Sequence, residues 1–168
     1  MHILLRIPLF LLPFAVLSVN AQPLTERAKN DELAFMQDEE PAMRKAFQAA
    51  RASLDDFLEK AKAPPPGTSA YAVKVGVKEG KNTEYFWVND LATVGDDFTG
   101  KINNEPRMVK SVKLGQTHKF LKSHIVDWTY LDRPNRKMAG NFTACALLSK
   151  ESPAEAEAMK KRYGLSCE

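Results

Sequence analysis

FTGKINNEPRMVKSVKLGQTHKFLKSHIVDWTY, Phe98 to Tyr130, is the stretch whose reading decides the fold. Phe98, Gly100 and Ile102 alternate as a short strand, and Gly100 marks a bulge or a close backbone approach. Asn103-Asn104-Glu105-Pro106 is strong turn chemistry. Met108, Val109, Val112 and Leu114 fit either a helical turn or a bent strand. Gly115-Gln116 turns the chain into Thr117–Phe120, and His124–Tyr130 alternates as a further strand.

Upstream, Tyr71, Val73, Val75 and Val77 alternate with Ala72, Lys74, Gly76 and Lys78, the period of a half-buried strand. Glu79-Gly80-Lys81-Asn82 is a turn, and Glu84–Asn89 answers as the second arm of a hairpin with aromatics on both faces. Before the hairpin, Phe47, Ala50, Leu54, Phe57 and Ala61 recur at helical spacing, which predicts one helix over Asp38–Lys62. Acids at its start and lysines at its end suit the helix dipole, and Pro64-Pro65-Pro66-Gly67 stops it. Downstream, the near-continuous apolar run Asn141–Leu148 is read as a central last strand. Ser152-Pro153-Ala154-Glu155 is a capping box that opens a helix to about Tyr163, with Gly164 as its C-cap. The expected class is α+β: a strongly curled antiparallel sheet of five or six short strands, close to a small barrel. An N-terminal helix packs it and a short C-terminal helix follows.

The 168 residues suffice for one domain and are too few for two ordinary ones. Residues 1–21, with Arg6, the apolar run Ile7–Val19 and Val19-Asn20-Ala21 before Gln22, have the pattern of a signal peptide. The run is short for a bilayer span, so no stable membrane anchor is expected after cleavage. Residues 22–37 then form a leader and 38–168 a single domain, periplasmic or secreted. Cleavage removes Arg6 and no acid, so the net charge falls from +3 to 23 − 21 = +2, too little to imply nucleic-acid binding. Cys145 and Cys167 are the only thiols, and in an oxidising compartment they are expected to form one disulfide.

Catalytic signatures are absent. His118 and His124 have no metal-ligand spacing with His or Cys partners, so no metal is expected. No phosphate-cradling glycine motif and no nucleophile elbow occur, so no cofactor is expected either. Lys110, Lys113, Lys119 and Lys122 cluster near Phe120 and read as a solvated face. Asn141-Phe142-Thr143 matches a glycosylation triplet, which its strand-like context discounts. What remains is an aromatic and polar set: Tyr85, Trp87, Asn104, Glu105, Pro106, Asp127, Trp128 and Tyr130. Aromatics with a polar handle suit recognition, and they suit a core equally well. The residues point away from an enzyme and toward a binding domain for a protein or small-molecule partner, an immunity-type or envelope-associated protein being one form. The alternative is an envelope-directed hydrolase using Glu105 and Asp127 as an acid–base pair; a purely structural envelope protein is a third reading.

Glu84-Tyr85-Phe86-Trp87-Val88, Gly100–Ile102 followed by Asn103-Asn104-Glu105-Pro106, Val112–Gln116 and Ile125–Tyr130 occur in this order. Together with Met43–Leu58 and Gly140–Leu148, they resemble the YegJ-like family of uncharacterised bacterial proteins, over about Asp38 to Cys167. The resemblance implies a small α+β domain. It assigns no activity, and it marks Trp87, Asn104, Glu105, Pro106, Asp127, Trp128 and Tyr130 as motif positions only.

Overall fold

The computed structural model describes residues 40–167. The expected signal peptide and leader, and the first two residues of the expected helix, lie outside them. Two helices come first, α1 (Pro41–Ala52) and α2 (Leu54–Lys62). Six strands follow: β1 (Thr68–Glu79), β2 (Asn82–Val94), β3 (Asp97–Ile102), β4 (Thr117–Phe120), β5 (Ile125–Asp132) and β6 (Lys137–Gly140). Two more helices close the fold, α3 (Phe142–Leu148) and α4 (Pro153–Tyr163).

The sheet order is β4-β3-β2-β1-β5-β6, and every ladder is antiparallel. The α+β class with an antiparallel sheet is therefore correct. The sheet is open rather than strongly curled. Its edges β4 and β6 do not pair with each other, so nothing closes toward a barrel.

Register divides the sheet into two faces, because directly paired residues share a side. Ile102, Val88, Val73 and Trp128 form one row across β3, β2, β1 and β5, and all four are buried. Phe57 of α2 and Ala50 and Leu54 of α1 and α2 complete this core. Phe57 is 1 % exposed, and burying such a side chain contributes roughly 1.5–3 kcal/mol.

The expected single helix breaks at Ser53. The Ser53 hydroxyl donates to the Ala49 carbonyl at 2.9 Å, a back-bond that competes with the helical ladder. The hairpin β1–β2 and the strands Thr117–Phe120 and β5 stand where the alternation put them, and β6 is a short additional strand. Residues 108–114, undecided between a helical turn and a bent strand, belong to an irregular loop over 103–116 that begins and ends at the expected turns.

The correction concerns Asn141–Leu148. It is not a strand but the helix α3, with Cys145 on it. Beyond α4, whose cap is built as expected (Glu155 N–H donates to Ser152 Oγ at 3.3 Å, and Gly164 is left-handed), the tail returns to the sheet. Met138 N–H donates to the Gly164 carbonyl at 2.8 Å, which covers the β6 edge. Cys145 and Cys167 form a disulfide across 22 residues of sequence, worth roughly 3 kcal/mol by loop-closure entropy.

Candidate functional site

The face opposite the core carries the row Trp87, Lys74, Asp127 across β2, β1 and β5. Lys74 is half-exposed along its stem, but its amine is buried. It donates to Thr143 Oγ1 at 2.8 Å and lies 4.9 Å from the centre of the Trp87 ring. Thr143 Oγ1 in turn donates to Asp127 Oδ2 at 2.6 Å. Asp127 also accepts the backbone N–H groups of Trp128 (2.8 Å), Phe142 (3.2 Å) and Thr143 (2.8 Å). The carboxylate thus ties the first turn of α3 to β5, where the orphan N–H groups of a helix need an acceptor.

The chain can enter α3 beneath that carboxylate because of Gly140. Its φ is +75°, and a Cβ there would stand 2.0 Å from the Trp128 carbonyl oxygen, so only glycine fits. Asn141 follows, also left-handed at φ 57°, and its Nδ2 donates to Thr129 Oγ1 at 2.6 Å.

Charge in this centre is costly. Burial pushes the Asp127 carboxyl above its ordinary range, against the pull of Lys74, of the Thr143 hydroxyl and amide, and of the Trp128 amide. Burial holds the Lys74 amine below the ordinary lysine value, with Asp127 acting the other way. Among the described residues, no buried side-chain nitrogen or oxygen lacks a partner. The same residues contain no group of three His, Cys, Asp or Glu side chains placed to hold a metal ion.

The sequence-derived set is divided between the two faces. Trp128 and Tyr130 are core aromatics. Trp128 stacks on Phe57 with ring centres 4.9 Å apart, and its indole N–H donates to the Ala50 carbonyl at 3.1 Å. Tyr130 stacks on Tyr71 at 5.1 Å. Tyr85 and Trp87 lie on the opposite face, where Phe47 of α1 reaches the Tyr85 ring at 5.7 Å. Asn104 belongs with Trp87, since its Oδ1 accepts the Trp87 N–H at 2.9 Å. Pro106 is half-buried and Glu105 exposed in the loop 103–116. Asp127, at 0 % exposure, presents no oxygen to a solvent-borne substrate. Glu105 and Asp127 accordingly have no shared opening in which to act as acid and base.

Sequence reasoning missed four residues. Lys74, Asn141 and Thr143 complete the centre around Asp127. Glu84 is the fourth: its carboxylate accepts the N–H groups of Arg107, Met108 and Val109 at 2.8–3.0 Å and holds down the loop 103–116. The available signal was Glu84, which shares a strand face with Phe86 and Val88 where a one-faced strand needs no charge; Lys74 stands on the polar face of its strand and gave none.

Across β2, β3 and β4 this face remains open. Trp87 and Asn89 are half-buried, and Lys101 and Thr117, in line with Asn89, are exposed. One indole is fixed there: Lys74 packs on the Trp87 ring, Asn104 accepts the Trp87 N–H and Asn103 N–H donates to the Trp87 carbonyl.

The model of the family described as "Uncharacterized protein conserved in bacteria (DUF2314)" matches residues 40–167. The chain is also similar to "Uncharacterized protein YegJ" of Escherichia coli (strain K12), with 32 % identity over 121 residues, 72 % of this chain and 76 % of the relative. No solved structure matches. The chain therefore belongs to the bacterial DUF2314 family.

Proposed function

We propose that this protein is an exported, non-catalytic binding domain of the cell envelope that captures a protein partner through the open half-sheet around Trp87. The observation that carries the reading is the division of labour between the two tryptophans. Trp128 is spent in the core, whereas Trp87 is half-exposed and held rigid by Lys74 and Asn104. A pre-ordered indole on a flat surface offers large contact area at little entropic cost. Two buried carboxylates are consumed internally, Asp127 by four donors and Glu84 by three. The Cys145–Cys167 bridge supports an oxidising compartment. An immunity-type protein that plugs a toxin acting on the cell wall is one form this activity takes.

The test is capture from periplasmic extract by immobilised wild-type domain and by Trp87→Ala. The variant should lose the captured partner while its melting temperature stays within a few degrees of wild type. Equal capture by both, with the fold intact, would overturn the assignment of this surface.

A further inference from the structure

A second feature lies away from Trp87, where α3, β6, α4 and the tail meet. A cleft of 210 Å³ opens there, walled by Met138, Leu147, Leu148, Met159, Tyr163 and Leu165. Its lining is apolar apart from Asn141, whose amide already donates to Thr129. A dry cavity of about 150 Å³ is enough to take benzene, so this one has room for a short alkyl chain.

The rim has the opposite character. Residues 132–137 and 157–163 contain six cations, Arg133, Arg136, Lys137, Lys160, Lys161 and Arg162, and two acids. Six minus two gives +4, and counting Glu168 as well leaves +3. Both acids within these stretches are engaged: Asp132 accepts from the Asn135 backbone and side chain, and Glu157 pairs with Lys160 at 2.8 Å. The pairing of β6 with the tail sets the cations beside the cleft. A Cβ built on Gly164 would stand 2.9 Å from the Arg136 carbonyl oxygen, and the Arg162 guanidinium lies 5.5 Å from the Tyr163 ring centre. Met138, Tyr163 and Leu165 line the wall, and Arg136 and Arg162 are exposed on the segments that carry them, whereas Lys137 alternates with Met138 along β6 and faces the other side of the sheet.

We propose that this cleft binds a small anionic amphiphile, with its alkyl chain among Met138, Leu148 and Met159 and its head between Arg136 and Arg162. The two halves of the site match the two halves of such a ligand. Apolar burial supplies affinity, and the cations select the sign of the head. A fatty carboxylate and an alkyl phosphate share this chemistry. The proposal is independent of the Trp87 surface.

The test follows the Met138 and Met159 methyl resonances of the intact, oxidised protein during titration with octanoate, octyl phosphate, octanol and octyltrimethylammonium below their micelle-forming concentrations. Either anion should shift both methyls saturably, and the tighter of the two identifies a carboxylate or a phosphate source. Octanol should bind about tenfold more weakly, and the cationic amphiphile should leave both methyls in place. Ala144→Phe, which fills the cleft, should abolish the shifts. Should that variant melt early, Arg136→Glu with Arg162→Glu decides, losing about tenfold for octanoate and nothing for octanol. Unmoved methyls, or octanol or the cation binding as tightly as octanoate, would overturn the proposal.

Discussion

Removing the Asp127 carboxylate would leave three backbone N–H groups and the Thr143 hydroxyl without their acceptor, with the Lys74 amine buried beside them. Orphaning a buried charge partner costs about 3–5 kcal/mol, so Asp127→Ala should lower unfolding stability by that amount in a urea titration. Lys74→Met should cost less, because the methionine keeps an apolar contact with Trp87, and Asp127, though it loses the opposing charge, keeps all four of its hydrogen-bond donors. A second residue-scale effect is tied to pH. Burial first, and then repulsion from His124, hold the His118 imidazole below its ordinary 6.5. The unfolded chain therefore binds the His118 proton more readily than the native state. Stability from this group is present above 6.5 and is lost as pH falls through the native value. Melting temperature should rise as pH increases through the native value toward 6.5, and His118→Gln should flatten that part of the rise.

Among the elements, the loop 103–116 depends most on a single side chain. Glu84→Ala withdraws the acceptor of three consecutive N–H groups, at a cost of about 1–3 kcal/mol. Hydrogen exchange at Arg107, Met108 and Val109 should accelerate by more than tenfold, while β1 and β5 keep their protection. Uniform acceleration across the sheet would instead make Glu84 part of the global core. The elements also show what a one-dimensional reading can reach. The stripe Phe47, Ala50, Leu54, Phe57 and the capping box at Ser152 are local patterns with local causes, and both stand in the fold. The alternation of β1 and β2 reports a sheet with one buried face in the same way. Asn141–Leu148 misleads because seven apolar or small residues fit a buried strand and a buried helix alike. What selects the helix is Asp127, fourteen residues upstream of Asn141, together with a glycine that lets the backbone pass Trp128. The centre around Asp127 was illegible for the same reason. Lys74 faces Asp127 only through the β1–β5 register, and Thr143 only through the fold of α3. Of the candidate set, the membership of Trp87 and Asn104 was legible from two separate motifs, their contact only from the fold. The burial of Trp128 was not, since an alternating strand does not say which of its faces is covered.

At the scale of the whole molecule, the two ends of the sheet are treated differently. The β6 edge is covered by the tail, which the disulfide fastens to α3. The lysines that cluster in sequence also part company: Lys119 pairs with Asp97 at 2.7 Å and Lys122 with Asp55, while Lys110 and Lys113 stay exposed in the loop. Helix α2 serves the core face, α1 contributes Ala50 to it while packing on α3 and reaching Tyr85 on the other face through Phe47, and α3 covers the β5 side of that face. The open quarter over β2, β3 and β4 is then the surface on which recognition would fall. Site-specific photocrosslinking in cells tests this directly, with the reactive residue placed at Asn89, on the open face, or at Arg51, exposed on α1. The account predicts a discrete adduct from position 89 and none from position 51. Adducts from position 51 alone, or the same adduct from both positions, would contradict it.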